Sequence, residues 1–200
     1  MARLALNKAS LTRESRQLRT FREYLPSLDL KRRQLIAEQN TARRILRETR
    51  QQLEDLEPVI AGELPMLAST QVELAGLVTL HGVELGTENV VGSRLPTVQR
   101  IDIRVRDYAL LGKPHWVDRV AKSLVAALEI RIRLQVAARR LEVLEGAVRR
   151  ITQRVNLFEK VLIPRTVANI KKINVYLSDM ERAGVVRAKL AKARKGQARA

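Results

Sequence analysis

Gly112-Lys113, His81, His115 and the carboxylates Glu142 and Glu145 are where chemistry would first be sought in this chain. A glycine followed by lysine ends a phosphate-cradling loop, in which backbone amides hold the phosphates. Such a loop also needs spaced glycines before the lysine and a Ser or Thr after it; here Pro114 follows. The chain has no cysteine, and neither histidine has paired carboxylates at ligand spacing, so neither fits a metal-ligand pattern. Glu142 and Glu145 stand among Arg139, Arg140, Arg149 and Arg150 on a helical stretch, the setting of surface ion pairs. The sequence therefore predicts no catalytic residue, no cofactor, no metal site and no nucleotide site.

The elements that carry these residues are best read from composition first. Apolar residues make up 46% of the 200, yet aromatics only 3%. Large aromatic side chains usually fill a globular core, whereas Leu, Val, Ile and Ala suit narrow helix–helix seams. Without cysteine there is no disulfide. No apolar run approaches the ~18–20 residues that span a bilayer, and the N-terminus lacks a signal-peptide core. The expectation is a soluble intracellular chain.

The formal charge is +17 and unevenly spread. Residues 116–200 carry 20 basic and 7 acidic side chains, and no acid follows Glu181, whereas Arg182, Arg187, Lys189, Lys192, Arg194, Lys195 and Arg199 do. A surface of this kind attracts nucleic acid, anionic lipid or an acidic protein face. No aromatic stacking platform accompanies it, which weighs against nucleic acid.

The N-terminal third follows one heptad register from Leu4. Leu18, Leu25, Leu46 and Leu53 fall on one seam position, Leu28 and Leu35 on the other, while the early positions Asn7 and Glu14 are polar. Ile130, Leu134, Ala137, Leu141, Leu144, Val148, Ile151, Val155, Phe158 and Leu162 then alternate in steps of four and three. Sustained spacing of this kind predicts coiled coil. From Phe158 the steps become four, four, four, through Leu162 and Thr166 to Ile170, one residue more than a heptad allows and equivalent in phase to two stutters. Pro164 and Pro26 both fall inside these patterns. Since the seam resumes after each, the reading is a kinked helix and not a helix end.

Residues 58–115 are different in kind, holding six of the nine glycines and four of the six prolines. Leu77 to Leu85 and the alternating Ile101, Ile103 and Val105 predict two strands, with GTENVVGSRLP between them as a loop. The expected fold is mainly α. A long antiparallel two-helix coiled coil is built from 1–57 and 116–200, the latter with a basic tail. A small middle foot, 58–115, holds a β-hairpin and short helices. The helices should run from about Leu4 to Leu56 and from Trp116 to about Lys195, roughly 80 and 120 Å of helix, which forces them to fold back on each other.

Arg154, Val155, Asn156, Glu159, the run Val161-Leu162-Ile163-Pro164-Arg165 and Ile170 resemble the "RVNALE…V-IPR…I" signature of the D subunit of V-type (A-type) rotary ATP synthases. Leu28, Leu30, Lys31, Arg32 and Leu35 are similar to that family's basic–leucine segment, and Leu110-Leu111-Gly112, Pro114, Trp116, Val117 and Asp118 resemble bacterial members. Leu157, Phe158 and Lys160 depart from the usual Ala, Leu and Tyr, and Pro26 stands where members often have Gly or a helix-compatible residue. The resemblance implies a non-enzymatic central rotor shaft, cytoplasmic and peripheral to the membrane. Its partners would be the A and B subunits of the catalytic head, the small F subunit of the stalk and the funnel-shaped C subunit. It also makes Ile101, Ile103 and Val105 a candidate docking surface for the F subunit, the other reading being that they pack only on their own foot. A shaft that touches several interfaces in turn gains from asymmetric curvature, so the Pro164 kink is expected to shape an eccentric contact with the head, the alternative being a tolerated bend at the phase shift. The alternative from another class is a basic coiled-coil scaffold for nucleic acid.

Overall fold

A computed structural model describes the backbone of residues 4–63, 75–107 and 116–197. The elements in chain order are α1 (Lys8–Glu63), β1 (Val78–Val90), β2 (Ser93–Val105), α2 (Val117–Leu157), a π-helical turn (Phe158–Leu162) and α3 (Ile163–Gln197). The short helices expected in the foot, along with Leu110-Leu111-Gly112, Lys113, Pro114 and His115, lie outside the described residues. Contacts divide the chain into two compact units, Met1–Lys31 with Arg150–Ala200, and Arg32–Arg149.

The helix expected from Leu4 begins instead at Lys8. Asn7 ends the preceding segment because its side chain is the cap: the Ser10 backbone N–H donates to Asn7 Oδ1 at 2.7 Å. Half-buried Leu6 and Leu11 occupy the two positions of a hydrophobic staple around that cap. At its other end α1 continues through Pro58 to Glu63, beyond the expected Leu56. It also passes through Pro26 without ending.

In the unit formed by Met1–Lys31 and Arg150–Ala200, the two helical stretches run antiparallel. Phe21 meets Phe158 edge-on, with ring centroids 5.4 Å apart. Seven residues earlier on α1, Glu14 meets Asn169, further along the opposing helix. Ile151, Val155 and Ile173 are buried, the last completely.

The other unit, Arg32–Arg149, repeats the antiparallel arrangement. Leu35 and Leu144 are fully buried, and Arg43 bonds Glu145 at 2.9 Å. Where α1 ends and α2 begins, Leu77, Trp116, Val117, Val120 and Ala121 form a small core against Ile60 and Val78. The single tryptophan thus closes the base of the hairpin.

The hairpin corrects the expected GTENVVGSRLP loop, because most of that stretch is strand. Only Val91 and Gly92 turn the chain, with φ of 51° and 78°. Two successive positive φ values are the mark of a type I′ turn, whose twist matches that of the strands it joins. Valine is unusual there, and it masked the turn from a reading based on Asn-Gly and Asp-Gly signals.

Two β-bulges explain a slip in the apolar pattern. Val78 pairs with Val105, Leu80 with Ile103, Val83 with Ile101 and Leu85 with Val98, four apolar pairs in sequence. The spacing slips by one residue between Leu80 and Val83 on β1 and between Val98 and Ile101 on β2. The register shifts lie at those places, leaving His81 and Gln99 as the extra residues. One bulge on each strand keeps the two apolar sets facing one another. Gly86 makes room for the second, since a Cβ there would stand 2.6 Å from Gln99 Nε2.

Candidate functional site

Two surfaces stand where an active site would be sought. The first is the helix pair around Pro164. The expected phase shift is real, but one π-turn absorbs it, and no stutters are needed. The Ile163 N–H bonds the Phe158 carbonyl, five residues back instead of four, housing the surplus residue within a continuous helix. A proline normally clashes with the carbonyl four residues before it and has no N–H to give. The wider turn just ahead of Pro164 relieves that crowding. Thr166, buried two residues later, donates its hydroxyl to the Leu162 carbonyl at 2.7 Å.

The residues of the family motif sit around this turn in different environments. Val155 is 2% exposed and Asn156 is half-buried, whereas Arg154, Glu159, Pro164 and Arg165 are exposed. Of the seam candidates in the same unit, Ile151 is buried, and Leu18, Leu25, Leu28, Phe158 and Leu162 are at most half-buried. In the other unit Leu35 and Leu144 are buried, while Leu46, Leu53, Ile130, Leu134, Ala137, Leu141 and Val148 are half-buried.

Sequence reasoning missed a second buried flank of α2. Ile132 and Ala147 are buried although neither is on the four–three stripe. At 100° per residue they share the side of α2 that carries Val125, Glu129 and Arg140. That is where the hairpin lies: Arg140 Nη2 donates to Glu88 Oε2 at 2.8 Å, and Glu88 pairs across the strands with fully buried Leu95. The signal was present in the run VAALEIRIRLQVAARRLEVL, apolar on more than one face, as a helix covered on two sides must be.

The hairpin and α2 form the second surface. Ile101 and Ile103 are half-buried and Val105 is 43% exposed; Leu80 and Leu85, on the facing strand, are 47% and 56% exposed. A groove of about 490 Å³ opens between Val105 and α2, lined by Asp118, Ala121, Lys122, Val125, Ala126 and Glu129. Its floor is mostly small and apolar, its rim charged, which suits protein docking better than a polar substrate.

The candidates for chemistry are dispersed. His81 is exposed at its bulge. Glu142 bonds Arg139 on its own helix, but Glu145 reaches across to Arg43 on α1, a partner that local spacing does not reveal. Among the described residues no group of three or more acidic or histidine side chains is placed to hold a metal ion.

Comparison with known proteins identifies the family. The model of a family described as the D subunit of ATP synthase matches residues 10–193. The chain belongs to the ATP synthase D-subunit family. It is 32% identical over 192 residues to a V-type ATP synthase D subunit from Borreliella burgdorferi, covering 96% of this chain and 95% of that protein. The proteins of that name from Chlamydia trachomatis and Chlamydia muridarum are each 34% identical, over 195 and 194 residues, with the same shares covered. Membership places the chain in the central stalk of a rotary ATPase, as a component that transmits motion and does not itself catalyse. Nothing in the comparisons favours the nucleic-acid scaffold. Among the described residues no helix is long and apolar enough to cross a membrane.

Proposed function

We propose that this D subunit is the torque-bearing shaft of a V/A-type ATP synthase that moves protons or sodium ions, engaging partners at three places. The match to the D-subunit family along residues 10–193 carries this reading. The division behind it is two coiled-coil arms, 1–57 and 116–200, on either side of a foot, 58–115. The start of α1 and the C-terminal part of α3 enter the catalytic head of A and B subunits. The hairpin, with Ile101, Ile103 and Val105, docks the small F subunit of the stalk. The base of the hairpin, around Trp116, sits in the funnel-shaped C subunit above the membrane ring, which makes the chain cytoplasmic and peripheral.

Physical features support each engagement. A shaft must carry torque without opening, and side chains as buried as Leu35, Leu144 and Ile173 resist separation of the helices they join. From Arg182 to Arg194 α3 is basic and, apart from Gly184, exposed, suited to polar or acidic loops lining a bearing. The hairpin's partly exposed apolar pairs are the kind of patch that marks a protein interface. The π-turn ahead of Pro164 interrupts the regular helix at the one place where an eccentric contact with the head would need the shaft to bend.

Co-expression with the A, B, F and C subunits tests the reading. Leu85→Asp is expected to lose F from the purified complex by at least tenfold while A and B remain. Shortening α3 from Arg182 onward is expected to uncouple ATP hydrolysis from ion pumping. Retention of F by the first variant overturns the docking assignment, and full coupling by the second overturns the bearing.

A further inference from the structure

The seam of the unit formed by Met1–Lys31 and Arg150–Ala200 is interrupted by a layer of polar side chains. Ser10, Glu14 and Thr166 are 6%, 7% and 5% exposed. Asn169 donates from Nδ2 to Glu14 Oε2 at 3.0 Å. On one side of this layer lies fully buried Ile173, and on the other the Phe21–Phe158 pair. A buried carboxylate is costly unless it is hydrogen-bonded, so the layer needs a reason.

The reason lies in the repetition around it. Leu11, Leu18 and Leu25 recur at intervals of seven and are all half-buried. Sliding α1 by one heptad puts leucine where leucine was at Leu11 and Leu18 in either direction, and at Leu25 in the direction that brings Leu18 there; only the opposite slide sets Arg32 in a leucine's place, so these apolar contacts choose a register weakly. The polar layer chooses it in both directions. A slide in one direction carries Glu14 to the place of Phe21, against the ring of Phe158 and away from the Asn169 amide that binds its carboxylate. A slide in the other carries Phe21 to the place of Glu14 and leaves the Asn169 amide against an aromatic ring.

We propose that the Glu14–Asn169 pair is the register lock of this helix pair, the contact that stops α1 from shifting by a heptad along the opposing helix. Single polar residues in otherwise apolar coiled-coil seams set register at a cost in stability, and this pair is placed to do so. The assignment does not depend on the partners proposed above. It gives the two helices one axial alignment, which a chain loaded along its length needs.

Spin-label distances on the full-length chain test it. The sequence has no native cysteine, so Thr20→Cys and Asp179→Cys carry nitroxides only where wanted. The otherwise unaltered chain should show one distance. Glu14→Leu with Asn169→Leu should keep its helix content and add a second population displaced by about 10 Å, one heptad of rise. Phe21→Leu with Phe158→Leu should keep the single distance, as should the exchange Glu14→Asn with Asn169→Glu. A single native distance in the polar-to-leucine variant overturns the proposal. So does a second population in the aromatic variant or in the exchange. Loss of helix in the polar-to-leucine variant overturns it too, since the layer would then hold the pair together and not select its register.

Discussion

The backbone N–H of Ile163 bonds the carbonyl of Phe158, five residues back, and Pro164 follows at once. The two features belong together. The π-turn takes in the residue by which the seam outruns the heptad, and its wider bore accommodates the pyrrolidine ring.

Removing one residue from the turn should therefore hurt only while the proline is present. Deleting exposed Lys160 restores α-helical bonding and drives the Pro164 ring against the preceding turn, at a cost of about 3 kcal/mol. Combining the deletion with Pro164→Ala should recover most of that loss. Urea unfolding of the two single changes and the double change measures the coupling, and strictly additive effects would separate the turn from the proline.

Pro164→Ala alone distinguishes mechanics from tolerance. The isolated chain should unfold at a higher temperature, because the substitution restores a backbone donor. In the assembled complex the same change should lower ion pumping per ATP hydrolysed. Unaltered coupling would show that the bend has no part in rotation.

Leu144→Ala removes a side chain with 0% exposure from the unit Arg32–Arg149. The expected loss is about 2–5 kcal/mol, the range for emptying a packed leucine site. Leu157→Ala, at 46% exposure, should cost less than about 1 kcal/mol. Chemical denaturation of both variants provides the comparison.

Val91→Asn should stabilise the hairpin. Val91 holds φ of 51° at the first position of the two-residue turn, where a β-branched side chain is strained and asparagine is favoured. A gain of about 1 kcal/mol is expected, visible as slower amide hydrogen exchange along Val78–Val105. Faster exchange would mean that the Val91 side chain contributes more by packing than its backbone loses by strain.

Arg140→Ala probes how the hairpin is held. Arg140 is the cation at Glu88, and its side chain is 24% exposed against 52% for the glutamate. A pair so open to solvent contributes at most about 1 kcal/mol to global stability. Exchange should accelerate near Glu88 and Leu95 while the base at Leu77 and Trp116 stays protected. Uniform acceleration would show that the hairpin opens as one piece.

The helical periodicity, the family motif around Pro164 and the existence of two strands were legible in the chain before any coordinates, because each is written in spacings of a few residues. Helix and strand periods are local, and so is the surplus residue after Phe158. How those spacings are satisfied is settled in three dimensions. Nothing local says that the surplus residue becomes a π-turn, or that His81 and Gln99 bulge so that four apolar pairs meet. Local spacing is equally silent on Glu145 turning to Arg43 and on the hairpin covering the flank of α2 that holds Ile132 and Ala147. Glu14 is a polar gap in the heptad pattern, and only the tertiary structure sets Asn169 beside it. The separation is physical: a period belongs to one segment, whereas burial, pairing and register are properties of two segments that meet far apart in sequence.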